Sequence, residues 1–293
     1  MSLKFPISLV GKRASSGPFA TSLYDSGDNL LVSIETDIPN NWNDNNTPYN
    51  ATRLEIGTSC TSIGSYAFFN CTGLNGSLTI PDSVTTISKF AFYNCRDLTG
   101  SLTIPDSVTT IEDGAFRFCT GFTGSLIIPD SVTSIGTEAF LALNGLTGSI
   151  TIGNSVTTIG TSAFAGCEGL TGSLTIGNSV TTIGDSAFAF SSGLTGPLTI
   201  PNSVTSIGSN AFYYCAGFNG SLIIPDSVTS IGSNVFYGCT SITSVSILAT
   251  TAPTIGINAF ASMTSVSPAE IHVPAGATGY AADYNGLTVV YDL

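Results

Sequence analysis

One phrase recurs through this chain with almost no variation. "LTIPDSVTTISKFAFYNC" at residues 78–95 returns as "LTIPDSVTTIEDGAFRFC" at 102–119. A Phe marks the same point of the phrase nine times at intervals of 24 residues: Phe68, Phe92, Phe116, Phe140, Phe164, Phe188, Phe212, Phe236 and Phe260. A strict period of this length is typical of a solenoid, in which each repeat forms one coil. We therefore predict a repeat solenoid of about nine coils over residues 54–270.

Each part of the repeat has its own predicted role in the coil. "SLTI" alternates polar and apolar residues, so Leu78 and Ile80 should point inward from a strand and Thr79 outward. "PDS" is a turn, and "VTTI" is predicted as a brief extended segment whose Val84 and Ile87 face inward from the opposite wall. "AFYNC" should curl inward as a short helical or 3₁₀ turn. One such coil buries too little to offset its ordering entropy, so stability must arise between neighbouring coils.

The repeat resembles that of the BspA-type leucine-rich repeat family of bacterial and protist surface proteins. The family's hallmark string appears as "IPNSVTSIGSNAFYYC" at 200–215 and as "IPDSVTSIGSNVFYGC" at 224–239. The resemblance covers about residues 54–260 and implies a right-handed, curved leucine-rich-repeat coil with parallel β-sheets. It also implies adhesion to host proteins, glycans or other cells rather than catalysis.

The two ends of the chain depart from the repeat. "IHVPAGATGYAADYNG" resembles the family's closing segment, so residues 271–293 are predicted to form a C-terminal cap. Residues 1–53 contain a predicted strand, "NLLVSIET", and a polar loop with the single tryptophan, Trp42. They are interpreted either as an N-terminal cap or as a segment that attaches the rod to a surface or partner. The N-terminus lacks the apolar core of a signal peptide, so the export route stays open.

The charge pattern excludes some partners. No Lys or Arg follows Arg117, whereas eight carboxylates lie beyond it. A surface without cations cannot neutralise phosphates, so nucleic acid is not expected as a partner. No apolar run is long enough to span a bilayer, so membrane insertion is not expected either.

The seven cysteines are interpreted as packing groups. Six of them stand three residues after a repeat Phe, in a column that elsewhere holds Leu143, Ser191 and Met263. Cys60 falls in the Val column of the repeat. Stacked cysteines lie within disulfide range, but their parallel side chains disfavour a bond, so we predict free thiols. No pair has the spacing of a zinc site, so we expect no metal or other cofactor.

The sequence offers little that could catalyse a reaction. The single histidine, His272, is predicted to point outward from an edge strand without a nucleophile beside it. A column of turn carboxylates and amides permits two interpretations, calcium binding or a structural ladder of turn residues, and its central Asn residues favour the second. That column comprises Asp82, Asp106, Asp130, Asn154, Asn178, Asn202 and Asp226. We therefore predict no enzyme activity.

Two variable columns are the candidate binding surfaces. The residues directly after each repeat Phe form an aromatic-rich ridge that either only covers the turn or offers a stacking platform for a glycan or protein. Its candidate residues are Tyr93, Phe118, Phe190, Tyr213, Tyr214 and Tyr237. The outward strand position forms an uncharged face, which either only stabilises the sheet or contributes to binding. Its candidate residues are Thr79, Thr103, Thr151, Thr175 and Thr199, interrupted by Ile127 and Ile223.

Three functions are compatible with this pattern. The first is a non-enzymatic adhesion protein that binds a protein or glycan at a cell surface, with a cell-surface, extracellular or virion-associated location. The second is a structural spacer or a component of a virion or surface assembly. The third is ice binding by the Thr-rich face, which the two Ile interruptions disfavour. The sequence leaves the ligand and the oligomeric state open.

Overall fold

The repeat folds into stacked coils in the computed structural model. The model describes residues 51–293 and the backbone of two earlier strands, Thr21–Tyr24 and Leu30–Ile34. Each coil has three walls, named here by their sequence: the Thr-Ile wall ("VTTI"), the Leu-Ile wall ("SLTI") and the turn wall ("AFYNC"). The predicted inward residues Leu78, Ile80 and Val84 are buried.

The Thr-Ile wall carries the longest sheet of the described chain. Its nine parallel strands are in register, so that Thr86 pairs with Thr110 and Ile87 with Ile111. Each strand is two residues long: Ser62–Ile63, Thr86–Ile87, Thr110–Ile111, Ser134–Ile135, Thr158–Ile159, Thr182–Ile183, Ser206–Ile207, Ser230–Ile231 and Thr254–Ile255. The brief extended segment predicted on this wall is confirmed.

The Leu-Ile wall is divided into two sheets. The first consists of five parallel strands: Gly76–Ser77, Leu98–Thr103, Phe122–Ile128, Ile150–Ile152 and Leu174–Thr175. The second comprises Gly220–Ile224, Ile242–Ile247, Glu270–Val273 and Leu287–Tyr291 in parallel, with Asp283–Tyr284 antiparallel at its edge. In the coil between them, Pro197 replaces the Ser of the other coils. Because proline has no N–H, it cannot donate the bond that Ser173 donates to Ser149 Oγ, 3.2 Å away.

The turn wall corrects the sequence prediction, because the described residues contain no helix of any kind. Amides alternate between two acceptors: Phe92 N–H donates to Ala115 of the next coil (2.8 Å), whereas Tyr93 N–H donates to Phe90 of its own coil (3.2 Å). Residues four positions apart also have positive φ, 54° at Phe90 and 61° at Asn94. A helix needs consecutive internal bonds and negative φ, so "AFYNC" forms a chain of turns instead.

The repeat Phe residues form one continuous stack through the core. All nine are buried, and neighbouring ring centroids lie 5.1–5.6 Å apart. Their planes are within 16° of parallel. Each interior ring therefore packs between two identical neighbours, which joins the coils along the axis.

The cysteine column supports this stack through hydrogen bonds. The thiol of Cys95 donates to the carbonyl of Phe68, and that of Cys215 to Phe188, both at 3.0 Å. Ser191 fills the same position and donates to Phe164 at 2.9 Å. All seven cysteines are free thiols, as predicted. The bond to the preceding coil explains why a small donor recurs at this position.

The two ends add strands to the coil stack. At the N-terminal end, Arg53–Glu55 pairs with Thr21–Tyr24, which also pairs with Leu30–Ile34. The strand predicted in "NLLVSIET" is therefore present, whereas the Trp42 loop lies outside the described residues. No helix within the described ranges is long and apolar enough to cross a membrane.

The environment of His272 differs from the prediction. Its strand pairs on both sides and is therefore not an edge strand. The side chain points outward as expected but is only 26% exposed, because Asp292 Oδ1 lies 2.8 Å from Nδ1 and Glu270 lies on the Nε2 side. The parallel neighbour at Leu287–Tyr291, which local alternation could not reveal, brings Asp292 to this position.

Replacing a ring in the middle of the Phe stack should strongly destabilise the protein. Phe164→Ala removes a fully buried ring that contacts Phe140 and Phe188. We expect a loss of about 3–5 kcal/mol in the free energy of unfolding, measured by urea denaturation. Ile127→Thr changes an exposed side chain and should alter stability by less than about 0.5 kcal/mol. Equal effects of the two changes would contradict the stack's role.

Stability should fall in alkaline solution. Burial raises the pKa of Cys167 and Cys239 to about 12, from an ordinary value of 9.0. Since the folded-state pKa is raised, the stabilisation is fully present below about pH 9 and is lost as the pH rises towards 12. The expected slope is about 1.4 kcal/mol per pH unit for each buried thiol. The urea concentration at the midpoint of unfolding should decline less steeply with pH for Cys167→Ser than for the unaltered protein. An unchanged slope would contradict the contribution of the buried thiol.

Candidate recognition surfaces

The outward side chains of the turn wall form two aromatic clusters. The N-terminal cluster consists of Tyr66, Phe69, Phe90, Tyr93 and Phe118. The C-terminal cluster consists of Phe190, Tyr213, Tyr214 and Tyr237. The six aromatic residues predicted for the ridge thus fall into these two groups. The coils between them carry smaller side chains: Leu141, Ala142, Ala165 and Gly166.

The candidate residues left out three rings of the N-terminal cluster, of which Phe69 lies in the predicted ridge column and the other two do not. Tyr66 and Phe90 stand two residues before a repeat Phe, whereas only the two positions after it were considered. Their column otherwise holds Gly114, Glu138 and a series of Ser and Asn residues. Two aromatic residues in a column of mostly turn-forming residues are the sequence feature that could have revealed these rings.

The N-terminal cluster is closely packed and contains a cation. The rings of Phe69 and Tyr93 lie 4.5 Å apart and 9° from parallel. The guanidinium of Arg117 lies 4.7 Å from the ring centroid of Phe118 and forms an ion pair with Glu138. Its Nε is buried without a hydrogen-bond partner. Cation–π contact and the ion pair together hold Arg117 against the rings.

The C-terminal cluster forms an open corner of two ring rows. Phe190 and Tyr214 lie 7° from parallel, 6.1 Å apart along the coil axis. Tyr213 stands at 86° to Tyr214, 4.6 Å away, and continues to Tyr237 at 5.3 Å. Phe190 is 50% exposed and Tyr214 43%. The nearby phenols of Tyr237 and Tyr213 raise the pKa of Tyr214.

Five of the cluster rings stand on residues with left-handed backbone conformation. Their φ angles lie between 54° and 63°, at Tyr66, Phe90, Phe118, Phe190 and Tyr214. In other coils the column of the last three holds small or turn-forming residues: Asn70, Asn94, Ala142, Gly166, Gly238 and Ser262. A bulky residue in this conformation costs about 1–2 kcal/mol. Because Phe190 and Tyr214 are also about half exposed, the coil itself gives little reason for an aromatic residue there.

Glycines in the following coil provide space for two of these rings. A Cβ added to Gly114 would lie 2.3 Å from the Phe90 ring, and one added to Gly238 would lie 2.9 Å from Tyr214. Each ring therefore leans over the backbone of the next coil. The ring can occupy this position because the glycine has no side chain.

The predicted Thr face lies where the alternation of the strand placed it. Thr79, Thr103, Thr175 and Thr199 are exposed and Thr151 is half-buried on the Leu-Ile wall. The column is interrupted by Ile127 and Ile223, whose side chains are 60% and 49% exposed. A binding role for this face stays a prediction.

An unbroken Thr row lies instead on the Thr-Ile wall. Its exposed members are Thr61, Thr85, Thr109, Thr133, Thr157, Thr181, Thr205 and Thr229. From Thr85 onward, each hydroxyl donates to the carbonyl one coil earlier, at 3.1–3.5 Å. These hydroxyl groups therefore contribute to inter-coil bonding.

Three residues of the Asp and Asn turn column also form an inter-coil ladder. Asn154 N–H donates to Asp130 Oδ1 at 2.5 Å, and Asn178 N–H donates to Asn154 Oδ1 at 3.1 Å. Within the part of the chain that the structure describes, no three His, Cys, Asp or Glu side chains are grouped to hold a metal ion. The contacts favour the structural interpretation of this column.

Comparison with known proteins agrees with this architecture. The family model of the BspA type leucine rich repeat region matches residues 37–171 and 170–279, in six copies. The chain belongs to the BspA-type leucine-rich repeat family. No curated protein matches it significantly.

Solved structures of repeat proteins are similar to this family member. A leucine-rich repeat protein from Bacteroides ovatus is 31% identical, with a TM-score of 0.64; the match covers 76% of this chain and 55% of that protein. This chain thus spans about half the length of that relative. The pneumococcal vaccine antigen PcpA is 19% identical, with a TM-score of 0.49 and coverages of 83% and 67%. A leucine-rich cell surface protein from Faecalibacterium prausnitzii is 21% identical, with a TM-score of 0.33 and coverages of 81% and 95%.

Filling the space beneath Tyr214 should move its ring. Gly238→Ala introduces a Cβ at φ 76° and 2.9 Å from that ring, whereas Gly220→Ala introduces one at φ 75° with no atom within 4 Å. Both should lose about 1–2 kcal/mol from the backbone conformation. Only Gly238→Ala should change the near-ultraviolet circular dichroism of the tyrosines. Matching spectra for both variants would show that Gly238 does not support the ring.

Proposed function

We propose that this protein is a non-enzymatic recognition protein that adheres to a protein or glycan on a cell surface through the aromatic ridge. A cell-surface, extracellular or virion-associated location is part of this proposal, because the family resemblance implies adhesion. The observation that carries it is the placement of exposed aromatic rings at left-handed positions, where the other coils mostly carry Asn, Gly, Ser or Ala. Conformationally unfavourable features that the fold does not require often mark functional sites.

The scaffold is well suited to this role. Backbone amides of the turn wall bond to the next coil, and the glycine-supported rings have defined positions. A partner would therefore meet a preorganised surface, which reduces the entropy lost on binding. Tyrosine and phenylalanine supply large contact areas with few rotatable bonds.

Removing ridge tyrosines should abolish adhesion while the coil stays folded. The test compares the protein with a Tyr93→Ser, Tyr213→Ser and Tyr237→Ser triple variant on a panel of glycans and extracellular-matrix proteins. We expect saturable binding that the triple variant loses, since a removed ring loses both contact area and a hydroxyl group. Circular dichroism and thermal unfolding verify that the variant is folded.

A control on a different wall makes the result specific. Ile127→Thr with Ile223→Thr alters two exposed side chains of the Leu-Ile wall and should leave binding unchanged. Binding that survives the tyrosine changes but not the Ile changes would move the site to the Leu-Ile wall. Absence of binding to every member of the panel would refute adhesion.

A further inference from the structure

The two aromatic clusters differ in their charged neighbours. Four Lys or Arg residues lie within residues 51–293. Three of them belong to the coils of the N-terminal cluster: Lys89, Arg96 and Arg117. Lys89 pairs with Asp113 at 2.9 Å, and Arg96 Nε donates to Asn94. These groups give the N-terminal cluster a mixed charge.

The C-terminal cluster has carboxylates but no cations in its part of the sequence. No Lys or Arg follows Arg117, whereas Asp185 lies one coil before Tyr213, where its carboxylate accepts a bond from Ser209 N–H at 2.7 Å. An anionic ligand would find no counter-charge there and would be repelled by Asp185. The charge pattern therefore disfavours an anionic ligand.

The C-terminal cluster is open at both ends along the coil axis. The coil before Phe190 carries Ala165 and Gly166 at the ridge positions, and the coil after Tyr237 carries Ala261. No large ridge side chain of these coils rises to enclose the rings. Protein partners usually place an anchoring side chain in an enclosed, desolvated pocket, which this arrangement lacks. An extended ligand, in contrast, can pass along the rod from one coil to the next.

The ring geometry fits a ligand that is apolar on its face and polar at its edge. Phe190 and Tyr214 supply one partly exposed ring per coil, 7° from parallel, with centroids 6.1 Å apart. Tyr213 and Tyr237 form the perpendicular side of the corner and add hydroxyl groups that both donate and accept hydrogen bonds. A hexopyranose has such a form, because its C–H groups lie on the ring face and its hydroxyl groups project from the edge.

We propose that the C-terminal cluster binds an uncharged glycan chain, with successive hexopyranose rings on Phe190 and Tyr214 and with sugar hydroxyl groups bonded to Tyr213 and Tyr237. The inference rests on the proposed adhesive function and specifies its ligand class. The N-terminal cluster is not part of this site.

The decisive variant replaces the two exposed rings by the residue that the fold itself uses in their column. Phe190→Asn with Tyr214→Asn introduces the side chain present at Asn70 and Asn94, which tolerates positive φ. If the rings serve binding, the melting temperature should stay the same or rise, while affinity for the glycan falls at least tenfold. If the rings only cover the coil, the melting temperature should fall instead.

The experiment uses an array of neutral glucan, mannan, galactan and chitin oligosaccharides beside sialylated and sulfated glycans. Affinity for the best neutral probe is then measured by isothermal titration calorimetry. Ala142→Asn is the control, because it introduces the same residue in the same column at a similar φ of 59°, but in a coil between the two clusters. We expect selective binding of neutral probes that the control keeps and the double variant loses.

Several results would overturn the proposal. These are binding only to anionic glycans, neutral binding that the double variant retains, and a lower melting temperature in the double variant without a loss of binding. If a matrix protein binds through the ridge tyrosines while every glycan fails, adhesion stands and the glycan proposal falls. If no probe of either kind binds, both proposals fall.

Discussion

The stack of nine phenylalanine rings is the interaction on which the rest of the structure depends. Each interior ring is buried between two others at 5.1–5.6 Å, so no coil completes its own core. The thiol or hydroxyl group three residues later bonds to the carbonyl of a Phe one coil earlier, which links the stack to the backbone. Stability is therefore a property of neighbouring coils, as in other repeat proteins.

Hydrogen bonds on two walls run in opposite directions between the coils. On the turn wall, Phe68 N–H donates forward to Ala91 at 2.7 Å, whereas on the Thr-Ile wall Ser88 N–H donates back to Ile63 at 3.0 Å. An interior coil is thus bonded to both neighbours through both donors and acceptors. A terminal coil lacks one of these neighbours, which explains why the chain adds Arg53–Glu55 pairing at one end and the strands after Glu270 at the other.

This framework separates stability from recognition. The inward residues barely change between coils, because each must match identical neighbours above and below. The outward turn residues have no such requirement, and they are the positions at which aromatic rings appear in two coil groups. At Phe190 and Tyr214 the rings oppose the local backbone preference, which is the basis of the recognition role proposed for them.

The sequence by itself determined the solenoid, the number of coils and the inward columns, because a 24-residue period and two-residue alternation depend only on local geometry. It also located the ridge after each Phe and predicted free cysteines. The tertiary structure alone decided which atoms meet across coils. It showed the turn wall to be non-helical, since inter-coil bonds capture amides such as Phe92 N–H. It brought Tyr66 and Phe90 into the N-terminal cluster, placed Asp292 beside His272 and gave Phe190 and Tyr214 their left-handed backbone. These contacts join residues about one repeat apart, so the alternation within a single coil could not reveal them.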